Sequence, residues 1–284
     1  MRSLTETEMP WLKGLSLAGV AALALTACGG GEETADESGL DLVNAGALTV
    51  CSNLPYPPFE YYDADGNEVG FDIDIAQAIA DDLDLELEII QAQFEGIQSG
   101  VALNANQCDL AISGLTITEA RAGNMLFSEP YLDDNLGVLV RSDSGIESLE
   151  DLDGFEGTVG AQSDTTGAAE AQERGLDLRE YTDAGLLIQG LESDQVEAAI
   201  GNISILGYQA GESETLVFVD EIDTGEQLGI AAQLENQPLI DEVNRILGEL
   251  EDNGGLEEIE DRWFHSETPD EGGDDAEADD EGDD

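Results

Sequence analysis

The sequence has very little positive charge. Its 284 residues include 66 Asp and Glu against 8 Lys and Arg, which gives a formal net charge of −58. A surface this negative repels phosphates and anionic headgroups, so we exclude nucleic acid and a bare membrane surface as partners. Calcium binding is a second interpretation of the acidity, but it would need ligand residues at suitable spacing along the chain. The interpretation we favour is a solvated, halophilic surface, because concentrated salt shortens the Debye length to about 3 Å and screens its self-repulsion.

Histidine and cysteine are also scarce, with one and three copies. His265, beside the acidic C-terminus, cannot by itself complete a Ser/His/Asp or Cys/His set, so we expect no metal, no cofactor and no catalytic residue. Cys51 falls near the end of one predicted strand and Cys108 just before the start of another. In parallel strands the two thiols would lie at opposite ends, so we predict two unpaired, buried cysteines. A disulfide, which an oxidising compartment permits, is the alternative.

The apolar run near the N-terminus is short. Residues 15–25 fall below the roughly 20 residues of a membrane-spanning helix and are typical of the apolar region of a secretory signal. The run ends in Leu25-Thr26-Ala27-Cys28, which resembles the lipobox of prokaryotic lipoproteins. We therefore predict a signal peptide over 1–27 and an extracytoplasmic protein anchored to the cell membrane through lipidated Cys28. The alternative is a plain signal peptide with an incidental cysteine.

The middle of the chain alternates between strand and helix patterns. We expect residues 28–45 to form a flexible acidic tether and residues 267–284 a disordered acidic tail. Strands are predicted at 48–51, 85–90, 109–114, 136–140, 157–161, 196–201 and 229–232, a hairpin at 61–71, and helices at 71–83, 97–103, 167–172, 184–191 and 239–250. Such alternation predicts an α/β fold with parallel strands. Two similar units followed by a late strand and helix indicate two lobes: 46–139 with 230–266, and 140–229.

The run from Ser113 to Arg121 is the most informative stretch. It places small hydroxyl and glycine residues at the carboxyl end of a strand, where α/β sheets bind ligands. Hydroxyl and backbone N–H groups can hold a carboxylate, and a guanidinium grips it with two bonds. An arginine in this position is more notable because cations are rare in this chain.

With its neighbours, this run resembles the amino-acid-binding family 3 of extracellular solute-binding proteins. The resemblance covers nearly all of residues 46–265. Its motifs are Tyr56-Pro57-Pro58-Phe59, residues 70–76 (GFDIDIA), residues 113–121, Phe127-Ser128-Glu129-Pro130-Tyr131, residues 159–167 (VGAQSDTTG) and residues 197–202 (EAAIGN). It implies a type II periplasmic-binding-protein-like fold, with two lobes joined by a hinge that closes on ligand.

The resemblance also implies roles for individual residues. Arg121 would hold a ligand carboxylate with Ser113, Thr116 and the backbone at Leu115, and Thr165 and Thr166 would add donors from the second lobe. Tyr56 would cover the ligand side chain, with Phe59 a weaker candidate. Phe94 would line the pocket, or pack in the core.

Two departures from the family concern the partner of a ligand ammonium. Asn202 stands where many amino-acid binders have Asp. Asn53 stands where binders of polar amino acids often have a second Asp. An amide accepts hydrogen bonds but carries no charge. Asp164 stands where glycine is usual, and it would either replace the missing anion or cap the following helix.

The function implied by the resemblance is the substrate-binding component of an ABC importer, a monomer that captures an amino acid and hands it to a permease. The favoured candidate ligand is a polar or charged amino acid, and a compatible solute without an amine is ranked below it. The alternatives are a ligand-sensing lobe for a receptor, or a cleft enzyme of the same fold such as a dehydratase.

Overall fold

The structure, a computed structural model, describes residues 39–264. The predicted signal peptide, Cys28, the first part of the tether, His265 and the acidic tail lie outside the described residues. Within residues 39–264, no helix is long and apolar enough to cross a membrane.

Short strands and helices alternate along the chain, as the sequence pattern predicts. The strands are β1 Ala47–Ser52, β2 Tyr61–Tyr62, β3 Glu68–Val69, β4 Glu86–Gln91, β5 Leu110–Ala111, β6 Leu126–Phe127, β7 Leu132–Asp133, β8 Leu136–Arg141, β9 Thr158–Gln162, β10 Asp177–Tyr181, β11 Ala198–Asn202, β12 Leu216–Ile222, β13 Gln227–Leu228 and β14 Ala231–Ala232. The helices are α1 Phe71–Asp82, α2 Phe94–Gln98, α3 Val101–Asn104, α4 Glu119–Ala122, α5 Thr166–Glu173, α6 Ala184–Glu192, α7 Ile203–Glu212, α8 Gln237–Asn253 and α9 Gly255–Phe264, with a 3-10 turn at Leu149–Leu152.

The strands form two separate five-stranded sheets, one in each lobe. The first has the order β4-β1-β5-β14-β6 and the second β10-β9-β11-β8-β12. In the first sheet β1 runs parallel to both of its neighbours, and in the second β9 does the same. The late strand β14 returns to the first sheet and pairs with β5 and β6. The two-lobed α/β fold is therefore confirmed.

The chain crosses between the sheets twice, and the two crossing segments pair with each other. Strands β7 and β13 form an antiparallel two-stranded ribbon. Along the chain, β7 connects β6 of the first sheet to β8 of the second. In the same way, β13 connects β12 of the second sheet to β14 of the first. The first crossing thus comes before Leu136, whereas the sequence placed the boundary between 139 and 140. A paired two-strand connection of this kind holds the lobes together and can flex as a hinge.

Apolar helix faces cover the first sheet. Phe71, Ile75 and Ile79 lie along one side of α1 and are fully buried, because their spacing places them on a single helical face. Phe264 at the end of α9 packs edge-on against Phe71, with ring centroids 5.0 Å apart. Trp263 beside it donates from Nε1 to Asp74 Oδ2 over 2.8 Å. The C-terminal helix is therefore fixed to the first lobe.

The prediction of two unpaired cysteines is wrong. Cys51 and Cys108 form a disulfide with Cα atoms 5.6 Å apart. The error came from assuming that Cys108, just before the predicted strand, would lie at the far end of a long parallel ladder from Cys51. Strand β5 has only two residues and starts at Leu110, so Cys108 lies in the turn before it and is not bound by the register of the ladder. The disulfide is buried in an apolar cluster with Phe94, Ile97 and Leu115.

Candidate functional site

A cleft lies between the two lobes, at the carboxyl ends of their parallel strands. Its empty volume is about 280 Å³. Its walls include nine residues predicted from the sequence: Asn53, Tyr56, Phe94, Ser113, Thr116, Arg121, Thr165, Thr166 and Asn202. The side chains come from both sheets, as expected for α/β lobes that bind ligands beyond the ends of their strands.

Arg121 is the buried cation of this cleft. It lies on the single turn of α4, where the Thr118 hydroxyl caps the helix by accepting from the Arg121 backbone N–H. Its guanidinium donates to the Thr116 carbonyl over 2.7 Å and to the Asp164 carbonyl over 3.1 Å. The group also lies over the Phe94 ring, 5.5 Å from the centroid, an arrangement that stabilises a desolvated cation.

The charge of Arg121 is not balanced by an ion pair. The residue is only 6% exposed, and among residues 39–264 no carboxylate oxygen lies within 4.0 Å of its guanidinium. Burial lowers the pKa of Arg121 to about 10, which leaves it charged at neutral pH. The charge of Glu226 acts on the guanidinium without such a direct contact. A buried, charged guanidinium with no carboxylate in direct contact has high affinity for an anion, because pairing offsets the cost of its desolvation.

The loop after β5 presents small groups to the cleft. Gly114 has φ +50°, and a Cβ there would lie 2.8 Å from Cε1 of Tyr56, so only glycine allows the Tyr56 ring to approach this closely. The Gly114 N–H donates to Asp72 Oδ2 over 2.7 Å, and Tyr131 donates to the other oxygen of Asp72. The Ser113 hydroxyl donates to Glu60 Oε1. Two buried acids therefore hold this loop from behind.

The second lobe contributes the N-terminus of α5. Thr165 is the N-cap, accepting from the Ala168 N–H, and its hydroxyl donates to the Gln162 carbonyl. Helix capping by Asp164, one of the two predicted roles of that residue, is therefore wrong. Asp164 precedes the cap with φ +64° and an exposed side chain, a backbone conformation that Asp tolerates better than most residues. The glycine usual there in the family would adopt it without strain.

Asn53 and Asn202 present their oxygens to the opposite lobe. Asn53 donates to the Ala92 carbonyl, and its Oδ1 accepts from Gln162 over 3.2 Å. Asn202 donates to the Asp134 carbonyl, and its Oδ1 accepts from the Tyr56 hydroxyl over 3.4 Å. Both amides therefore act as neutral acceptors in the space between the lobes.

The side chains of two predicted site residues lie in the core and do not line the cleft, although the role predicted for Leu115 concerns its backbone. Phe59 is fully buried and stacks beneath Tyr56, with centroids 5.8 Å apart. Leu115 is also fully buried, in the cluster around the disulfide. Phe94, which was open to either assignment, is mostly buried but reaches the cleft.

Local sequence patterns did not identify several polar residues in and around the cleft. Gln162 lines it, and Glu226 accepts from two of the lining threonines. Three further buried acids lie behind it: Glu60, Asp72 and Asp134. Their partners are 42 to 70 residues away in the chain, so no local pattern identifies them.

The buried acids have perturbed acidities. Burial raises the pKa of Asp72 to about 6 and that of Asp134 to about 7. Burial, together with the neighbouring charge of Asp72, raises the pKa of Glu60 well above its ordinary range. One oxygen of Glu60 and one of Asp134 lack a hydrogen-bond partner among the described residues, which adds to the cost of ionising either group.

The family described as bacterial extracellular solute-binding proteins, family 3, matches residues 48–266. Among curated relatives, the arginine-binding extracellular protein ArtP of Bacillus subtilis (strain 168) is 35% identical over 263 residues, covering 90% of this chain and 98% of ArtP. The L-cystine-binding protein TcyJ of Escherichia coli (strain K12) is 27% identical over 257 residues, covering 89% of this chain and 96% of TcyJ.

Solved structures give the same result. The P235GK mutant of ArgBP from T. maritima superposes with a TM-score of 0.72 at 33% identity, covering 78% of this chain and 96% of that one. The ancestral amino-acid-binding protein AncCDT-1, a precursor of cyclohexadienyl dehydratase, superposes with a TM-score of 0.73 at 30% identity, covering 77% and 96%.

Proposed function

Because the chain belongs to the bacterial extracellular solute-binding proteins of family 3, we propose that its cleft captures an α-amino acid for delivery to an ABC permease. The observation that carries the proposal is the buried guanidinium of Arg121. It is charged, 6% exposed and has no carboxylate within 4.0 Å among the described residues. A ligand carboxylate would supply the direct ion pair that Arg121 lacks.

The groups around Arg121 suit a carboxylate. The hydroxyl of Thr116 comes from the first lobe and that of Thr166 from the start of α5 in the second. The hydroxyl of Thr165 already donates to the Gln162 carbonyl, so Thr165 contributes through the helix N-terminus that it caps. The N-terminus of a helix carries a partial positive charge that favours an anion. Ligand bound to the first lobe would therefore gain contacts when the second lobe closes, which shifts the population toward the closed form.

The rest of the cleft favours a ligand with an amino group. Tyr56 and Phe94 supply aromatic walls, and the amide oxygens of Asn53 and Asn202 supply acceptors for N–H donors. The favoured ligand is a cationic amino acid such as arginine, since ArtP and ArgBP bear the name of arginine-binding proteins. Asp164, exposed beside the cleft, is our candidate for the anion that meets the ammonium. An amine-free compatible solute ranks below an amino acid.

We propose binding without turnover. The curated relatives ArtP and TcyJ are named as binding proteins, and AncCDT-1 is itself described as an amino-acid-binding protein that precedes a dehydratase. Within residues 39–264 the buried acids behind the cleft are engaged in holding its loops, as Asp72 holds Gly114. The chromatographic recovery of unchanged ligand after incubation with the protein checks this point. The identity of the membrane partner distinguishes transport from sensing: a permease indicates transport, and a receptor indicates sensing.

The protein would act outside the cytoplasm as a monomer anchored to the membrane through Cys28. ArtP is named as an extracellular protein, and an arginine-binding relative from Mannheimia haemolytica as a periplasmic one. The lipobox-like tetrapeptide supports the anchor. The acidic surface supports salt adaptation. Metabolic labelling with palmitate, compared between wild type and Cys28→Ala, tests the anchor.

A thermal-shift screen against the twenty amino acids and a set of compatible solutes tests the binding function. A ligand at about 100 times its Kd stabilises the folded state by about 2.7 kcal/mol, a clear rise in melting temperature. We expect a cationic α-amino acid to give the largest rise. A response to compatible solutes alone would replace the amino-acid assignment, and no response from either set would refute the binding function.

A further inference from the structure

Glu226 is held beside the carboxylate-binding end of the cleft by its backbone. It lies immediately before β13, in the segment that returns the chain from the second sheet to the first. Its carbonyl accepts from the Asp134 N–H over 3.0 Å, and the carbonyl of Gln227 accepts from the Ile117 N–H over 2.8 Å. The second of these bonds fixes the segment next to Thr116, so the Glu226 side chain starts from a defined position.

The side chain of Glu226 connects the two lobes. Its Oε2 atom accepts from the Thr116 hydroxyl over 3.1 Å and from the Thr166 hydroxyl over 2.8 Å. Thr116 follows β5 in the first lobe, and Thr166 is the first residue of α5 in the second. A single carboxylate oxygen thus engages one donor from each side of the cleft.

These hydroxyls are two of the donors that the proposed function gives to the ligand carboxylate. A threonine hydroxyl has one proton and can donate it to one acceptor at a time. Two carboxylates held next to each other also repel. A ligand carboxylate at Arg121 must therefore displace Glu226 from the hydroxyls or bind without them.

We propose that Glu226 is a specificity-determining residue, an internal carboxylate that competes with the ligand carboxylate for the hydroxyls of Thr116 and Thr166. The inference rests on the proposed function and adds a property to the same site. Competition lowers the affinity for every ligand that carries a carboxylate. A ligand with a neutral carboxamide in that place meets less repulsion, so Glu226 affects it less.

The experiment compares an amino acid with its carboxamide in wild type and in Glu226→Gln. The probes are the amino acid that gives the largest thermal shift, L-arginine being the first tried, and its amide, L-argininamide in that case. Isothermal titration calorimetry measures both affinities. Asp223→Asn is the matched control, because it removes one acidic charge from an exposed position of the same segment.

Competition predicts that Glu226→Gln binds the amino acid about tenfold more tightly, with less than a twofold change for the carboxamide and no change in Asp223→Asn. An equal gain for both ligands would show a general effect on lobe closure and overturn the proposal. Unchanged or weaker binding of the amino acid would make Glu226 a supporting contact, which also overturns it. If neither wild type nor variant binds any amino acid, the proposed function itself fails, whereas binding only by the variant supports the competition.

Discussion

The Nη2 atom of Arg121 donates a hydrogen bond of 3.1 Å to the backbone carbonyl of Asp164. The two residues belong to different lobes, so the cation of the first lobe contacts the second directly. A guanidinium has five N–H donors, and those that remain are available to a ligand carboxylate. In the proposed function, recognition of the ligand anion and closure of the lobes therefore involve the same side chain.

Gly114 controls how closely Tyr56 can cover the cleft. We expect Gly114→Ala to weaken amino-acid binding about tenfold, because a non-glycine residue in the left-handed region costs about 1–2 kcal/mol and the new Cβ would push on the Tyr56 ring, 2.8 Å away. Calorimetric titration measures the loss. Gly248→Ala is the control, since a Cβ there meets nothing within 4 Å. Equal affinity in both variants would contradict the assigned role of the Tyr56 ring.

The disulfide between Cys51 and Cys108 should stabilise the first lobe. It closes a segment with a sequence separation of 57, and cross-links of this kind typically contribute about 2–4 kcal/mol by restricting the unfolded chain. Denaturant unfolding with and without dithiothreitol should show a drop of that size. The Cys51→Ala/Cys108→Ala double variant should show no response to the reductant. An unchanged wild-type midpoint under full reduction would mean that the bond contributes nothing.

Asp134 should make the folding stability depend on pH. Burial raises its pKa in the folded state to about 7, against about 3.9 in an unfolded chain. Between these two pH values the folded state binds more protons than the unfolded state. The free energy of unfolding therefore falls as pH rises from about 4 to about 7, and it levels off above pH 7. The slope from this one group is up to about 1.4 kcal/mol per pH unit.

Asp134→Asn isolates that contribution. We expect its unfolding free energy, measured with denaturant in high salt to screen surface repulsion, to fall less steeply over the same pH range. Asp133→Asn, one residue earlier and exposed, should keep the wild-type slope. Identical slopes in all three proteins would show that Asp134 is already ionised in the folded state at low pH.

Asp164 is expected to act on a ligand cation. Its side chain is exposed beside the cleft, and Asn retains its positive φ without strain. Asp164→Asn should therefore bind a cationic amino acid about five- to tenfold more weakly with little change in melting temperature. Asp252→Asn, on an exposed part of α8, is the control for lost surface charge. If both variants bind as wild type does, the ligand cation is met elsewhere.

The local patterns of the sequence predicted most of the fold. Helix α1 runs over Phe71–Asp82, close to the predicted 71–83, because its apolar residues recur at helical spacing. Strand β10 was missed, since three of its five residues are exposed and charged. The predicted helix over 97–103 is broken into α2 and α3 at Gly100, which has φ +76°.

The site was predictable where its residues fall in short local motifs, and nine of its lining residues were named in this way. The run from Ser113 to Arg121 contributes four of the lining residues, and its composition already indicated an anion. Glu226 and Asp72 were missed because their contacts join segments 110 and 42 residues apart, and such distances leave no trace in local spacing. The sequence did not favour the disulfide for a different reason. Its geometry depends on where a two-residue strand begins.

The most direct test of the account is the affinity of Arg121→Ala for the amino acid that wild type binds best, measured by isothermal titration calorimetry. Loss of the buried cation should cost on the order of 2–5 kcal/mol, at least about 30-fold in Kd. Arg179→Ala, which removes an exposed arginine on β10, should bind as wild type does. If Arg121→Ala remains folded and binds the same amino acid with wild-type affinity, the carboxylate is held elsewhere and the proposed site is wrong.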